Sequence, residues 1–207
     1  MLDGHAKVTG KACYTDDLRM PRMLHGALLR SPHAHARIVS IDASEALALD
    51  GVHLVLTGAD LPTRYGTIPV AMDETALAVD KVRFVGEEVA AVVARDRATA
   101  REAARRIRVQ YEVLPAVLTL DAALDPTSPL IHEGRRKASN VLRRVHQVHG
   151  DPQSAFERAD VVISAEYDYP GSTHVPLETH CAVAQWDGRL TLWSSTQIPH
   201  YLQRITA

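Results

Sequence analysis

The chain has no apolar run approaching the ~20 residues that a membrane-crossing helix needs, which excludes a helical span. It has only two cysteines, Cys13 and Cys181, far apart and in no Cys-x-x-Cys pair. That spacing excludes a disulfide framework and a cysteine zinc site, and predicts two reduced, buried thiols. Aromatic residues are scarce at 5%, so there are few rings on which unpaired bases could stack. Charge of one sign is also lacking: 23 Lys and Arg against 25 Asp and Glu leave a net −2. No overall field therefore draws the protein to nucleic acid or to an anionic membrane. Met1-Leu2-Asp3-Gly4-His5 lacks the apolar core of a secretory signal, so a cytoplasmic location is expected.

What is present is the material of a globular protein. The 207 residues are 46% hydrophobic, enough for one or two domains with their own cores. In a first segment, Leu24–Arg30, Ile38–Ile41, Val52–Leu56, Val82–Val85, Val89–Ala94 and Val109–Val113 read as strands. Val89–Ala94 is apolar on both faces and is expected at the centre of a sheet. Asp42-Ala43-Ser44 supplies the cap of a short helix ending before Asp50-Gly51, and Arg97–Ile107 carries an alanine stripe at helical spacing. Strands with two interspersed helices predict an α+β domain.

The second segment is sparser. Leu120–Leu124 reads as a short helix, and Asp125-Pro126-Thr127-Ser128-Pro129 as a surface loop. Asp151-Pro152 opens a helix through Ala159, with the carboxylate as cap and proline in the first turn. Val161–Tyr169, His180–Trp186 and Arg189–Trp193 read as strands, the last two joined by the hairpin signal Asp187-Gly188. Beyond Trp193 comes Ser194-Ser195-Thr196-Gln197-Ile198-Pro199-His200 and a helical run, Tyr201–Ile205. Pro199 suits the first turn of that helix, so Thr196 or Gln197 sits where a strand hands over to a helix, a common place for ligands. A neutral amide there can donate to an oxo or phosphate oxygen without bringing a charge.

Other constellations carry less. His33-Ala34-His35 would share a face on a strand, but no third ligand is near, and a solvated pair beside a turn is expected. His174, Glu178 and His180 lie within seven positions, yet Pro176 opposes the helix that a His-Glu-x-x-His zinc site requires. Asp16-Asp17 and Glu87-Glu88 are adjacent pairs whose side chains diverge on a strand. Arg135-Arg136-Lys137 and Arg143-Arg144, with His132, His146 and His149, form the one basic cluster. Without interleaved aromatics it reads as a solvated linker or subunit-facing strip rather than a nucleic-acid site. No Gly-x-Gly-x-x-Gly, Walker loop or Gly-x-Ser-x-Gly elbow occurs.

Longer motifs add a resemblance. Lys7-Val8-Thr9-Gly10-Lys11-Ala12, Tyr14-Thr15-Asp16-Asp17, Leu24-His25-Gly26 and Arg30-Ser31-Pro32-His33-Ala34-His35-Ala36-Arg37 occur in that order. Lys81-Val82-Arg83-Phe84-Val85-Gly86-Glu87, Tyr111-Glu112-Val113-Leu114-Pro115-Ala116-Val117 and Thr196-Gln197-Ile198-Pro199-His200 follow. Together they resemble the start of the molybdenum-binding large subunit of the xanthine dehydrogenase/aldehyde oxidase family, over almost the whole chain. Pro176-Leu177-Glu178-Thr179-His180 and Trp193-Ser194-Ser195-Thr196-Gln197 are worded most like 4-hydroxybenzoyl-CoA reductase α-subunits.

The resemblance implies an α/β-hammerhead domain over 7–117, a linker over 118–138 and, from 139 to 207, the beginning of a molybdopterin-binding α+β domain. Gln197 matches the glutamine that hydrogen-bonds an oxo ligand of molybdenum, with a capping or loop amide as the alternative reading. Glu178 and His180 match a segment on the approach to the substrate pocket, with no catalytic role assigned; no direct metal ligand is expected. For the complete enzyme it implies a molybdenum–molybdopterin cofactor in its dinucleotide form, and 2Fe–2S clusters and FAD on partner domains or subunits. A small-molecule substrate and a hetero-oligomer are implied, without nucleic acid or membrane. The reaction would be hydroxylation of aromatic heterocycles or aldehydes, or reductive dehydroxylation of 4-hydroxybenzoyl-CoA. The family's Gly-Gly-Gly-Phe-Gly segment and its glutamate base are absent from these 207 residues, and two cysteines cannot hold the clusters. The expectation is therefore an N-terminal fragment, inactive alone; a subunit-docking module without catalysis is the alternative.

Overall fold

The structure, a computed structural model, describes residues 3–66, 68, 71–134 and 138–207. Helix α1 (Gly4–Val8) and a 3-10 turn (Thr15–Asp17) come first, followed by β1 (His25–Arg30), β2 (Ala36–Asp42), α2 (Ser44–Leu47) and β3 (Val52–Thr57). Next come β4 (Arg64–Tyr65), β5 (Glu74–Thr75), β6 (Lys81–Val82), β7 (Glu88–Ala94), α3 (Arg97–Arg106) and β8 (Arg108–Val113). The chain continues through α4 (Leu120–Leu124), α5 (Pro152–Glu157), β9 (Ala182–Trp186), β10 (Leu190–Ser194) and α6 (Pro199–Thr206). Two compact units result, one of Arg19–Arg143 and one joining Met1–Leu18 to Arg144–Ala207.

In the Arg19–Arg143 unit, β7 lies between β1 and β3, antiparallel to both. Its central place follows from Val-Ala-Ala-Val-Val-Ala: valines fill space while alanines let a helix approach. That helix is α3, whose Ala103 and Ala104 are buried in one cluster with Ala90 and Val92; Ala100 on the same helix is buried too. Its start is set by Asp96, whose carboxylate accepts from the Thr99 backbone N–H at 2.8 Å. A second antiparallel sheet runs β6-β2-β8, and β4 pairs with β5. Arg30 and Glu88, paired across β1 and β7, close an ion pair of 2.7 Å.

Three expectations fail in this unit. The strand foreseen over Val82–Val85 stops at Val82, because the Arg83 N–H donates to the Glu87 carboxylate and Gly86 N–H to Ser31 O at 2.8 Å. These bonds fold 83–87 into a turn and leave Phe84 and Val85 exposed. Glu87 is accordingly off the strand, and burial raises its pKa above the ordinary carboxylate value despite the bond from Arg83. The pair His33/His35 is not uniformly solvated: His35 is 3% exposed, and its Nδ1–H donates to Pro115 O at 2.6 Å. The acceptor is a carbonyl, which fixes the proton on Nδ1. His33 instead stands edge-on to Tyr111, ring centres 5.0 Å apart.

In the other unit, α5 starts as foreseen, with Asp151 accepting from the Ser154 N–H at 3.1 Å and Pro152 in the first turn. The strand foreseen over Val161–Tyr169 does not form. No described residue pairs with its backbone, and its apolar side chains are exposed; β-prone residues alone do not make a strand, because a ladder needs a neighbour. The two thiols are not both buried either: Cys13 is exposed and Cys181 half-buried. Arg135, Arg136 and Lys137, the core of the basic cluster, lie outside the described residues.

Candidate functional site

The candidate site is built on the β9–β10 hairpin. Trp186 pairs with Leu190 and Ala182 with Ser194, around a three-residue loop in which Gly188 takes φ +92°, a conformation glycine adopts without cost. One buried side chain, Val183, anchors the pair. Beyond the strands the ladder is prolonged by side chain as well as backbone. Ser195 N–H donates to Cys181 O at 3.1 Å, and Cys181 N–H donates to Ser195 Oγ at 2.9 Å. Thr196 Oγ1 then accepts from Ile198 N–H at 3.2 Å, which turns the chain. Pro199 occupies the first turn of α6, and Leu202 N–H donates back to Ile198 O at 3.1 Å.

Gln197 therefore sits where the sequence indicated, in the connection from β10 to α6, one residue before the N-cap Ile198. It is exposed, and its amide makes no hydrogen bond to a described residue. Ile198 offers no side-chain cap, so the first N–H groups of α6 are not satisfied by one. A neutral donor beside the positive end of an eight-residue helix suits an oxygen acceptor carrying partial negative charge. Glu178 and His180 lie in an irregular, exposed stretch before β9. Cys181, which directly follows His180 in the sequence, and Ser195, which directly precedes Thr196 and Gln197, are bonded to each other. Ser195 and Cys181 are thus the positioning pair that sequence reading missed; the signal was the repeated hydroxyl before Gln197. Cys181 Sγ also faces Asp16 Oδ1 of the 3-10 turn at 3.8 Å.

Among the described residues no three His, Cys, Asp or Glu side chains gather as a metal site. What the β10–α6 connection offers is a neutral hydrogen-bond donor, Gln197, beside a helix start, which suits an oxygen acceptor.

The profile described as "Aldehyde oxidase and xanthine dehydrogenase, a/b hammerhead domain" matches residues 9–115. The chain belongs to this family. A second profile, the molybdopterin cofactor-binding domain, matches residues 131–207 and includes the whole Gln197 connection. The chain is 40% identical to the carbon monoxide dehydrogenase large chain of Afipia carboxidovorans, over 96% of its length and 27% of that protein. It is 38% identical to the nicotinate dehydrogenase large molybdopterin subunit of Eubacterium barkeri, over 97% of its length and 47% of the relative. Among solved structures, quinoline 2-oxidoreductase from Pseudomonas putida 86 superposes with a TM-score of 0.86 at 39% identity, covering 99% of this chain and 27% of that one. The chain thus spans between about a quarter and a half of the length of these relatives. Its α+β architecture is a hammerhead domain followed by the start of a cofactor-binding domain.

Proposed function

We propose that this chain forms the hammerhead domain and the opening of the cofactor domain in the catalytic subunit of a cytoplasmic molybdenum hydroxylase. Its substrate class is an electron-poor aromatic heterocycle. The reading of the substrate is supported by relatives named for nicotinate, quinoline and xanthine. The domain limits proposed are 7–117 and 139–207, with 118–138 between them. Iron–sulfur and flavin groups are assigned to partner domains or subunits of a hetero-oligomer, and the pterin to its dinucleotide form. When bound, the cofactor supplies redox chemistry and Lewis-acid activation of water.

The observation that carries this reading is the placement of Gln197. Its backbone lies between a hairpin strand on one side and a proline-started helix on the other, and its side-chain amide is exposed, with no described residue accepting from it. Gln197 would donate a hydrogen bond to an oxygen of the cofactor, holding its orientation without adding charge. Glu178 and His180, in the exposed stretch that leads into β9, would line the approach of the substrate.

The test is the complete subunit, expressed with its partners and offered nicotinate, quinoline, xanthine, an aldehyde and 4-hydroxybenzoyl-CoA. Molybdenum should copurify, and a heterocycle should be the best substrate. Gln197→Ala should lower kcat/KM by about a hundredfold, the scale for loss of one preorganised donor, with most of the molybdenum retained. Purified subunit without molybdenum would defeat the assignment. Full activity in the variant would defeat the role of Gln197.

A further inference from the structure

Lys81 lies on β6, the edge of its sheet, yet its side chain is only 2% exposed. A buried ammonium needs partners that stay in place. Both of its partners come from one stretch: Glu133 Oε1 at 3.1 Å and Leu130 O at 3.5 Å. Between them His132 Nδ1 meets Asp73 Oδ2, in the loop before β5, at 2.7 Å. Asn140 closes the stretch upon itself: its Nδ2 donates to Pro129 O and its Oδ1 accepts from Ile131 N–H, each at 3.0 Å. All of these residues belong to the Arg19–Arg143 unit. The cofactor-domain profile nevertheless begins at residue 131, inside this stretch.

We propose that residues 129–134 are a latched strap, held shut by Lys81 on Glu133, which builds part of the segment between the two domains into the hammerhead unit. The asymmetry of the pair makes it a latch. Glu133 is 66% exposed and well solvated without its partner, whereas Lys81 has no solvent to fall back on. Loss of the Glu133 charge leaves a buried cation with one distant carbonyl, and the strap must lift to let water in. His132 on Asp73 is the second tie, so lifting involves the strap as a whole.

Lysine reactivity reads this directly. In the complete chain, a pulse of an amine-acylating reagent followed by peptide mass spectrometry should label Lys81 about tenfold or more slower than exposed Lys7 and Lys11, because reaction requires local opening. Glu133→Gln should raise Lys81 labelling towards the exposed rate and speed hydrogen exchange over 129–134, with β7 and α3 still protected. In a Lys81→Met background, the same Glu133→Gln change should add nothing to exchange over 129–134, since no cation remains to be orphaned. Lys81 labelling as fast as Lys7 in the unmodified chain would overturn the strap. So would equal effects of Glu133→Gln in both backgrounds, or none in either. If Glu133→Gln exposes β7 and α3 as well, the double variant decides: restored protection keeps the latch, and continued exposure rejects it.

Discussion

Gly58 shows how little room single positions leave. A Cβ there would lie 2.7 Å from the Ala78 carbonyl carbon and 2.7 Å from Val79 Cα, and both obstacles are backbone. Neither can swing aside as a side-chain tip would, so the β3 exit and the 77–79 segment would have to part. Gly58→Ala should cost about 1–3 kcal/mol, the usual cost of overpacking, read as a lower urea midpoint with an unchanged slope. An unchanged midpoint would mean that the two segments are not in contact. A contrast is Gly86, where a Cβ would meet nothing within 4 Å and only its φ of +93° calls for glycine. His35 belongs to the same scale: its partner Pro115 is 80 residues away. A histidine beside a turn gives no local sign of that carbonyl, which is why its burial was not legible in the sequence.

Elements whose causes are local were read correctly. In α3 the cap, the alanine stripe and the closing basic turn all lie within the helix or next to it. Bonds from the Thr99 backbone N–H at 2.8 Å and hydroxyl at 2.9 Å, with Arg95 alongside, lower the pKa of Asp96. The sign follows from linkage: a carboxylate depressed by folding contributes its stability above its ordinary pKa and loses it as pH falls through the folded value. Asp96→Asn keeps a capping oxygen but removes the titration. Its thermal midpoint should therefore fall less between pH 5 and pH 2 than that of the unsubstituted chain, by differential scanning fluorimetry at matched ionic strength. Identical acid limbs would show that Asp96 does not discriminate between the folded and unfolded states. The α6 start and the β9–β10 turn were legible for the same reason, since Pro199 and Asp187-Gly188 act on their immediate neighbours. The end of β6 was not, because it depends on a side chain, Glu87, competing for a backbone N–H. The Cys181–Ser195 bonds that set the site's geometry are likewise tertiary, fourteen residues apart in sequence.

At the scale of the whole molecule, burial is unevenly distributed. Nearly all the fully buried apolar side chains belong to the Arg19–Arg143 unit, whereas Val183 is the one buried apolar residue described in the other. There Ile163 is 86% exposed and Tyr167 91%, both on the run expected from the sequence to be a strand. Val161, Val162 and Ile163 also flank an open groove of about 300 Å³ with Pro152, Ala155 and Phe156 of α5. Water is a poor neighbour for so much apolar surface in one place, and unpaired extended backbone adds a template for further strands. The 207-residue chain on its own should therefore associate with rising concentration and bind an apolar dye. Replacing Ile163 and Tyr167 together with lysine should reduce both effects, because the charges lie on the exposed face and disturb no packed neighbour. Sedimentation velocity over a range of concentrations, with dye fluorescence on the same samples, separates the outcomes. A dye-negative monomer at every concentration would mean that the run is covered in solution. Association unchanged by the two lysines would move the sticky surface elsewhere, with the half-exposed Leu28 and Leu54 on β1 and β3 as the next place to look.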